Sequence, residues 1–348
     1  MIRVLIAGLG NMGLSHALAY HRNTGYEIVG LMNRSKVDLP EELQAYPMYA
    51  EYYEALRECN AQLVAVCTYS DSHAEYAIAA MDAGAHVFVE KPIATNGADA
   101  EKVIARAIEK ERKLMVGYIL RQHPSWQLLI AKARELGGPF VFRLNLNQQS
   151  SGSTWDTHKN LMQSTSPIVD CGVHYVDVMC QITDARAVQV RGMGLRLTEE
   201  IDPEMYNYGH FQVLFDDGSV GWYEAGWGPM ISETAYFVKD IISPKGSVSI
   251  VAAEKGGSDD IDSHTKVGML RIHRSDTDNK GNFTVEDELI ETADEPGHQD
   301  LCQAEQDFML KAINKNINLG KHMSDAVQSL RICLAADQSI RSGVPVDL

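Results

Sequence analysis

Residues 3 to 22 leave few folds open to this chain. RVLIAG (3–8) is a short apolar run ending in glycine, as suits a buried strand. GLGNMG (8–13) follows, and LSHALAYHR (14–22) continues as a helical stretch. A strand, a GxGxxG turn and a helix in that order form the setting a dinucleotide fingerprint needs. Gly8 permits the tight turn, Gly10 admits the pyrophosphate to the backbone, and Gly13 lets helix and strand pack closely. The helix start, with Asn11 and Met12, offers N–H groups and positive dipole to the phosphates. A ligand-free glycine-rich turn carries the same letters, so the flanking strand and helix are what favour a cofactor.

The alternation persists. EIVGLMN (27–33), LVAVCT (63–68), HVFVEKP (86–92) and LMVGYIL (114–120) read as strands, with helical stretches such as SHAEYAIAAMDAG and ADAEKVIARAIEKERK between them. This predicts an α/β fold whose first domain, residues 1–120, is a Rossmann-type, doubly wound parallel sheet. Ligands on such sheets bind at the carboxyl ends of the strands, which selects Thr68, Tyr69, Glu90, Lys91 and Tyr118. His73, at a helix start, suits a cap or a phosphate-side contact. A lysine at the end of a strand is unremarkable on a surface. Beside a nicotinamide ring, Lys91 can hydrogen-bond a substrate hydroxyl and help draw off its proton. Where NAD enzymes place Asp or Glu after the second strand, this chain has Asn33, Arg34, Ser35 and Lys36. Without that carboxylate a 2′-phosphate meets no repulsion and Arg34 can pair with it, so NADP is favoured over NAD. The plainer alternative is a solvated polar turn.

After Arg121 the pattern changes. FVFRLNLNQ (140–148) alternates, and VQVRGMGLRL, HFQVLFDDG, SVGWYEAGW, YFVKDIISPKGSVSI (236–250) and GMLRIHRS are further strand candidates. DDG and PKG are hairpin-type turns. The expectation for 121–348 is an α+β domain with a large open, mainly antiparallel sheet. Its two C-terminal amphipathic helices either support that sheet or pack back on the first domain. GGSDDIDSHTK (256–266) and DTDNKGN (276–282) read as polar surface loops. QQSSGSTWDTHKN (148–160) reads as a long polar loop that either lends Trp155, His158 or Lys159 to a substrate pocket or is simply solvated. PIVDCGVHYVDVM (167–179) is apolar yet carries Asp170 and His174, which share a face if the segment is helical. A buried His with a carboxylate four residues away is often a satisfied core pair. Asp177 then orients its neighbours or caps a backbone group.

Composition excludes several partners. Lys plus Arg number 31 and Asp plus Glu 47, a formal charge of −16, which disfavours nucleic acid and anionic membranes. The six cysteines have no CxxC spacing, and the twelve histidines no HExxH spacing, so neither a disulfide framework nor a metal is expected. No apolar run reaches the roughly 18 residues of a membrane helix. The folded-looking start leaves no room for a signal peptide, and a cytoplasmic location is expected.

Together, GLGNMG, EKP (90–92) and DCGVHYVD (170–177) resemble the motifs of the glucose–fructose oxidoreductase, inositol dehydrogenase and rhizopine-catabolism (Gfo/Idh/MocA) family. VGYILRQHP (116–124) is similar to that family's segment between its two domains, and FDDGSVGWYEAGW (215–227) to a hairpin of its C-terminal sheet. The resemblance runs through the whole chain. It implies that Lys91, Asp170 and His174 act together in catalysis, and that Arg121 and His123 face the crevice, with Tyr118 near the nicotinamide. It also implies homodimers or homotetramers assembled through the open sheet. The chain departs from the family pattern before DxGxH, where QSTSPIVD holds Ser166 and Pro167 in place of a glycine-rich run.

The expected activity is hydride transfer between NAD(P) and a secondary alcohol or ketone of a sugar, cyclitol or related polyol. The other readings are a redox-neutral enzyme that oxidises a sugar transiently to permit elimination or epimerisation, and a non-catalytic dinucleotide-binding regulator.

Overall fold

The computed structural model describes residues 1–232, 238–251, 265–292 and 294–348. Most of the expected 256–266 loop, and residues 236–237 of the expected strand, lie outside the described residues. The chain divides into two compact units, Met1–Gln122 with Pro296–Val327, and His123–Glu295 with Gln328–Leu348.

In the first unit β1 (Ile2–Ala7), α1 (Asn11–Arg22), β2 (Tyr26–Met32), β3 (Met48–Tyr49), α2 (Tyr52–Glu58), β4 (Leu63–Val66), α3 (His73–Asp82), β5 (His86–Val89), α4 (Gly97–Glu109) and β6 (Leu114–Val116) follow one another. Their strands pair in parallel in the order β3-β2-β1-β4-β5-β6. Every residue of β4 is buried, as a central strand covered on both faces requires, and this is why its sequence is an unbroken apolar run. The edge strand β3 was not expected, because two residues carry no periodicity.

The second unit holds α5 (Pro124–Leu136), β7 (Val141–Gln149), α6 (Gly152–Leu161), α7 (Pro167–Asp170), α8 (Gly172–Ile182), β8 (Ala187–Leu195), β9 (Tyr208–Phe215), β10 (Val220–Gly228), β11 (Lys239–Ser243), β12 (Gly246–Ile250), β13 (Met269–Arg274) and β14 (Glu288–Glu291). Two helices follow, α9 (His298–Asn314) and α10 (Gly320–Ser342), and then β15 (Val346–Asp347). Among the described residues the second sheet has nine strands in the order β14-β13-β12-β11-β7-β10-β9-β8-β15. It is mainly antiparallel, but β7 and β10 pair in parallel. Three helices separate β7 from β8, so β7 is not part of a simple meander.

Alternation along β9 sets the two faces of this sheet. Phe211, Val213 and Phe215 are buried, and join Trp126, Phe142, Tyr175 and Tyr223 in a core under α5 and α8. Gln212 and Leu214 point to the opposite face, as do Val141 and Val220 of the neighbouring strands.

α9 belongs to the first unit. Met309 and Ala312 share a core with Val4, Ala17 and Tyr20, and the Tyr26 hydroxyl donates to the Gln306 carbonyl at 2.7 Å. The division is therefore not one cut near residue 120. An apolar stripe on a helix says that it packs, but not on which sheet.

Candidate active site

The glycine turn is built by contact distances. Gly8 has φ +93°, and a Cβ there would sit 2.5 Å from the Cys67 carbonyl oxygen. A Cβ on Gly13 would meet the Gly8 carbonyl oxygen at 2.0 Å, so the first turn of α1 lies against the loop. Around Gly10 nothing comes within 4 Å of that position. The amides of Asn11, Met12 and Gly13 open α1 and have no acceptor within the helix, and no acidic side chain stands in its first turn. That open backbone, with no carboxylate in its first turn, fits the pyrophosphate of a dinucleotide.

Asn33 is spent on the same loop. Its Oδ1 accepts the Leu9 N–H at 3.0 Å and its Nδ2 donates to the Ser35 carbonyl at 2.8 Å. The Arg34 and Ser35 side chains beside it are exposed.

Beside the glycine turn, Thr68 bonds Ser72 at 2.6 Å and Tyr69 is 74% exposed. His73 is buried, with its ring nitrogens 2.7 Å from the Pro92 carbonyl and 2.9 Å from the Thr68 carbonyl. Burial outweighs these contacts and holds its pKa below the ordinary histidine value. A neutral imidazole has one N–H, so it donates to one of these two carbonyls. His73 thus ties together the segments that follow β4 and β5.

Glu90 is buried beside Lys91. One carboxylate oxygen lies 2.7 Å from His16 Nε2, and the other accepts the Lys91 amide at 3.1 Å. Burial alone would raise its pKa, but the His16 hydrogen bond and the nearby Lys91 charge bring it below the usual carboxylate value. His16 itself was missed by sequence reasoning. Its signal was a polar residue on the buried Gly13–Ala17–Tyr20 face of α1.

Arg121 pairs with the buried Asp325 at 2.8 Å, and Asp325 also takes Lys321 at 2.6 Å. Tyr118 is buried and packs at 6.3 Å from the His322 ring.

In the second unit, Ser166 and Pro167 have a clear local task. The Ser166 hydroxyl accepts the Val169 N–H at 3.3 Å as an N-cap, and Pro167 occupies the first helical position. α7 ends at Asp170. Cys171 keeps helical angles (φ −88°, ψ −35°) but interrupts the ladder, and His174 lies in the first turn of α8. The expected single helix is therefore two, though both side chains remain half-buried rather than sunk in the core. Gly172 between them is required by space, since a Cβ would approach Cys333 Sγ and the Tyr223 ring at 3.2 Å. Asp177 is fully buried and accepts from Gln181 at 3.0 Å.

The polar loop expected over 148–160 is corrected. It is the end of β7 followed by α6. Trp155 donates to Glu200 at 3.3 Å, and Lys159 pairs with Glu200 at 2.9 Å and Asp156 at 3.1 Å. Those two side chains fasten α6 to the segment before β9. His158 stacks on Trp227 at 4.3 Å and bonds Ser150 at 3.0 Å, with burial lowering its pKa to about 4. Asp170 acts on His158 electrostatically, so the stack lies near the DxGxH carboxylate. His123 is fully buried, and burial lowers its pKa.

Among the described residues one trio, His16, Cys302 and Glu305, has metal-ligand atoms within 4.8 Å of one another. Both His16 nitrogens are already engaged, by Glu90 and by Gln306. No described helix is long and apolar enough to cross a membrane.

Comparison with known proteins agrees with this geometry. Residues 2–118 match the oxidoreductase family with an NAD-binding Rossmann fold, and residues 129–236 match the Gfo/Idh/MocA C-terminal domain. The chain is 34% identical over 169 residues to a 4-carboxy-2-hydroxymuconate-6-semialdehyde dehydrogenase of Sphingobium, covering 45% of this chain and 54% of that one. With the NAD(+)-dependent scyllo-inositol 2-dehydrogenase of Bacillus subtilis it shares 24% identity over 369 residues, 100% of this chain and 96% of the relative. In fold it resembles an oxidoreductase domain protein from Kribbella flavida, with TM-score 0.80 and 22% identity over 100% of this chain and 98% of that one. The fold and the family both imply a nicotinamide cofactor. Both halves of the sequence therefore lead to one conclusion, that the chain belongs to the Gfo/Idh/MocA family of oxidoreductases.

Proposed function

We propose that this protein is a nicotinamide-dependent dehydrogenase or reductase acting on a secondary alcohol or ketone of a cyclitol, sugar or related polyol. The observation that carries the reading is the joint presence of EKP and DxGxH in a chain of this family, with Lys91, Asp170 and His174 all retained. The cofactor supplies the hydride acceptor or donor. His174 takes the hydroxyl proton as general base, a task neutral imidazole suits. Lys91 hydrogen-bonds the reacting oxygen and stabilises its developing negative charge. Asp170 holds the substrate or His174 in place. The relative that acts on scyllo-inositol makes inositols the first compounds to try. A screen of inositols and aldoses at 340 nm tests the reading. Turnover of at least one is expected, and none with either cofactor would overturn it.

Asn33 leaves no carboxylate to meet the adenosine ribose, and Arg34 is exposed beside it, so NADP(H) is the preferred cofactor. A fluorescence titration is expected to give tighter binding of NADPH than NADH, with the preference lost in Arg34→Ala. Tighter binding of NADH would overturn this choice, and the named cofactor of the scyllo-inositol relative is NAD(+).

The chain assembles into homodimers or homotetramers through the open face of the second sheet. Val141, Leu214 and Val220 on that face are 39%, 43% and 40% exposed, and Trp222 lies among them. Leu214→Lys with Val220→Lys is expected to lower the mass measured by light scattering by half or more. An unchanged mass would reject this face. Six buried free cysteines suit a reducing, cytoplasmic setting.

A further inference from the structure

We infer that a buried chain running from Gln306 through His16 to Glu90 positions Lys91. The inference rests on the catalytic reading of Lys91. Gln306 Nε2 lies 3.0 Å from His16 Nδ1, His16 Nε2 lies 2.7 Å from Glu90 Oε1, and Glu90 Oε2 accepts the Lys91 amide at 3.1 Å. With the Gln306 amide donating, Nδ1 accepts and Nε2–H donates to the carboxylate. His16 and Gln306 are fully buried and Glu90 is 5% exposed. Two separate helices, α1 and α9, therefore line up buried polar groups behind one carboxylate. That arrangement is costly unless the carboxylate has work to do.

Space is kept for it as well. Gly117 stands where a Cβ would come 3.0 Å from Glu90 Oε1. The groups facing the pair are Cys67 after β4, His73 on α3, Lys91 itself, and Cys302 and Glu305 on α9. Glu305 is buried, and burial together with the nearby Glu90 charge raises its pKa. Its Oε1 has no hydrogen-bond partner. The pKa values of two neighbouring carboxyls are thus pushed apart, Glu90 down and Glu305 up. The Glu90 charge and the Lys91 charge attract, which favours the ammonium that a developing alkoxide requires.

The sign of the effect follows. A lysine with a carboxylate neighbour keeps its proton to higher pH, so removing the charge moves the alkaline limb of kcat downward. Glu90→Gln preserves shape and is expected to lower kcat at least tenfold and shift that limb down by about one pH unit. His16→Asn removes the hydrogen bond that depresses Glu90, so its carboxyl protonates at higher pH and the acid limb of kcat moves upward. The double variant is expected to behave as Glu90→Gln alone, because His16 acts only through the carboxylate. A purely structural role would lower melting temperature without moving either limb.

The experiment is the kcat–pH profile of the three variants beside Lys91→Met, with elemental analysis of the purified wild type for zinc. A wild-type profile in Glu90→Gln, with Lys91→Met inactive, overturns this inference and leaves the catalytic reading standing. Turnover in Lys91→Met overturns the catalytic reading instead. Stoichiometric zinc lost in Cys302→Ala would make the cluster a metal centre and also overturn the inference.

Discussion

Lys91→Ala is expected to lower kcat by roughly 100- to 10,000-fold, the range set by loss of a positioned proton-transfer or charge-stabilising group. Affinity for the nicotinamide cofactor should stay within a few-fold, since the glycine turn that meets the pyrophosphate is left untouched. His174→Ala should behave alike, with the additional loss of the general-base limb in the pH profile. Single-turnover assays with saturating cofactor separate the two steps. Unchanged turnover in both variants would sink the assignment of the EKP and DxGxH groups. The physical reason for a large effect is rigidity. The backbone of Lys91 is held by the Glu90 carboxylate, and the neighbouring Pro92 carbonyl is held by buried His73. A water that replaces the amine gains none of that preorganisation.

Gly13→Ala should be the more damaging of two matched changes in the fingerprint, for a reason unrelated to ligand. Alanine is favoured over glycine within a helix by about 1 kcal/mol. Here its Cβ would lie 2.0 Å from the Gly8 carbonyl oxygen, a backbone atom that cannot rotate away. The clash wins, because separating α1 from the loop costs packing worth several times the propensity gain. A fall in melting temperature of about 5–10 °C is expected, at roughly 2–4 °C per kcal/mol for a unit of this size. Gly10→Ala should melt like the wild type, since its angles (φ −71°, ψ −171°) suit alanine and nothing lies within 4 Å. Its cofactor affinity should drop about tenfold or more, which corresponds to roughly 1.4 kcal/mol. Normal cofactor binding in Gly10→Ala would remove the pyrophosphate from that turn.

Most strands of the second sheet were visible as periodicity. α6 was not, because GSTWDTHKN has little apolar regularity and is fastened by Trp155 and Lys159 to Glu200, forty or more residues away. The interruption at Cys171 was equally hidden, since its angles remain helical and only the hydrogen-bond ladder breaks.

Read alone, the amino-acid order determined the parallel alternation of the first sheet and the glycine turn, while Lys91, Asp170 and His174 were singled out by resemblance to a family. The sheet and the turn depend on local chemistry. A left-handed φ or a close backbone approach demands glycine, and a doubly covered strand demands an unbroken apolar run. Only the tertiary structure decided that α9 packs against β1 and α1, that β7 and β10 run parallel, and that Gln306 and His16 meet behind Glu90. Those partners stand up to 290 residues apart in the chain. Their meeting is set by which buried faces fill the same volume, and no local spacing records that.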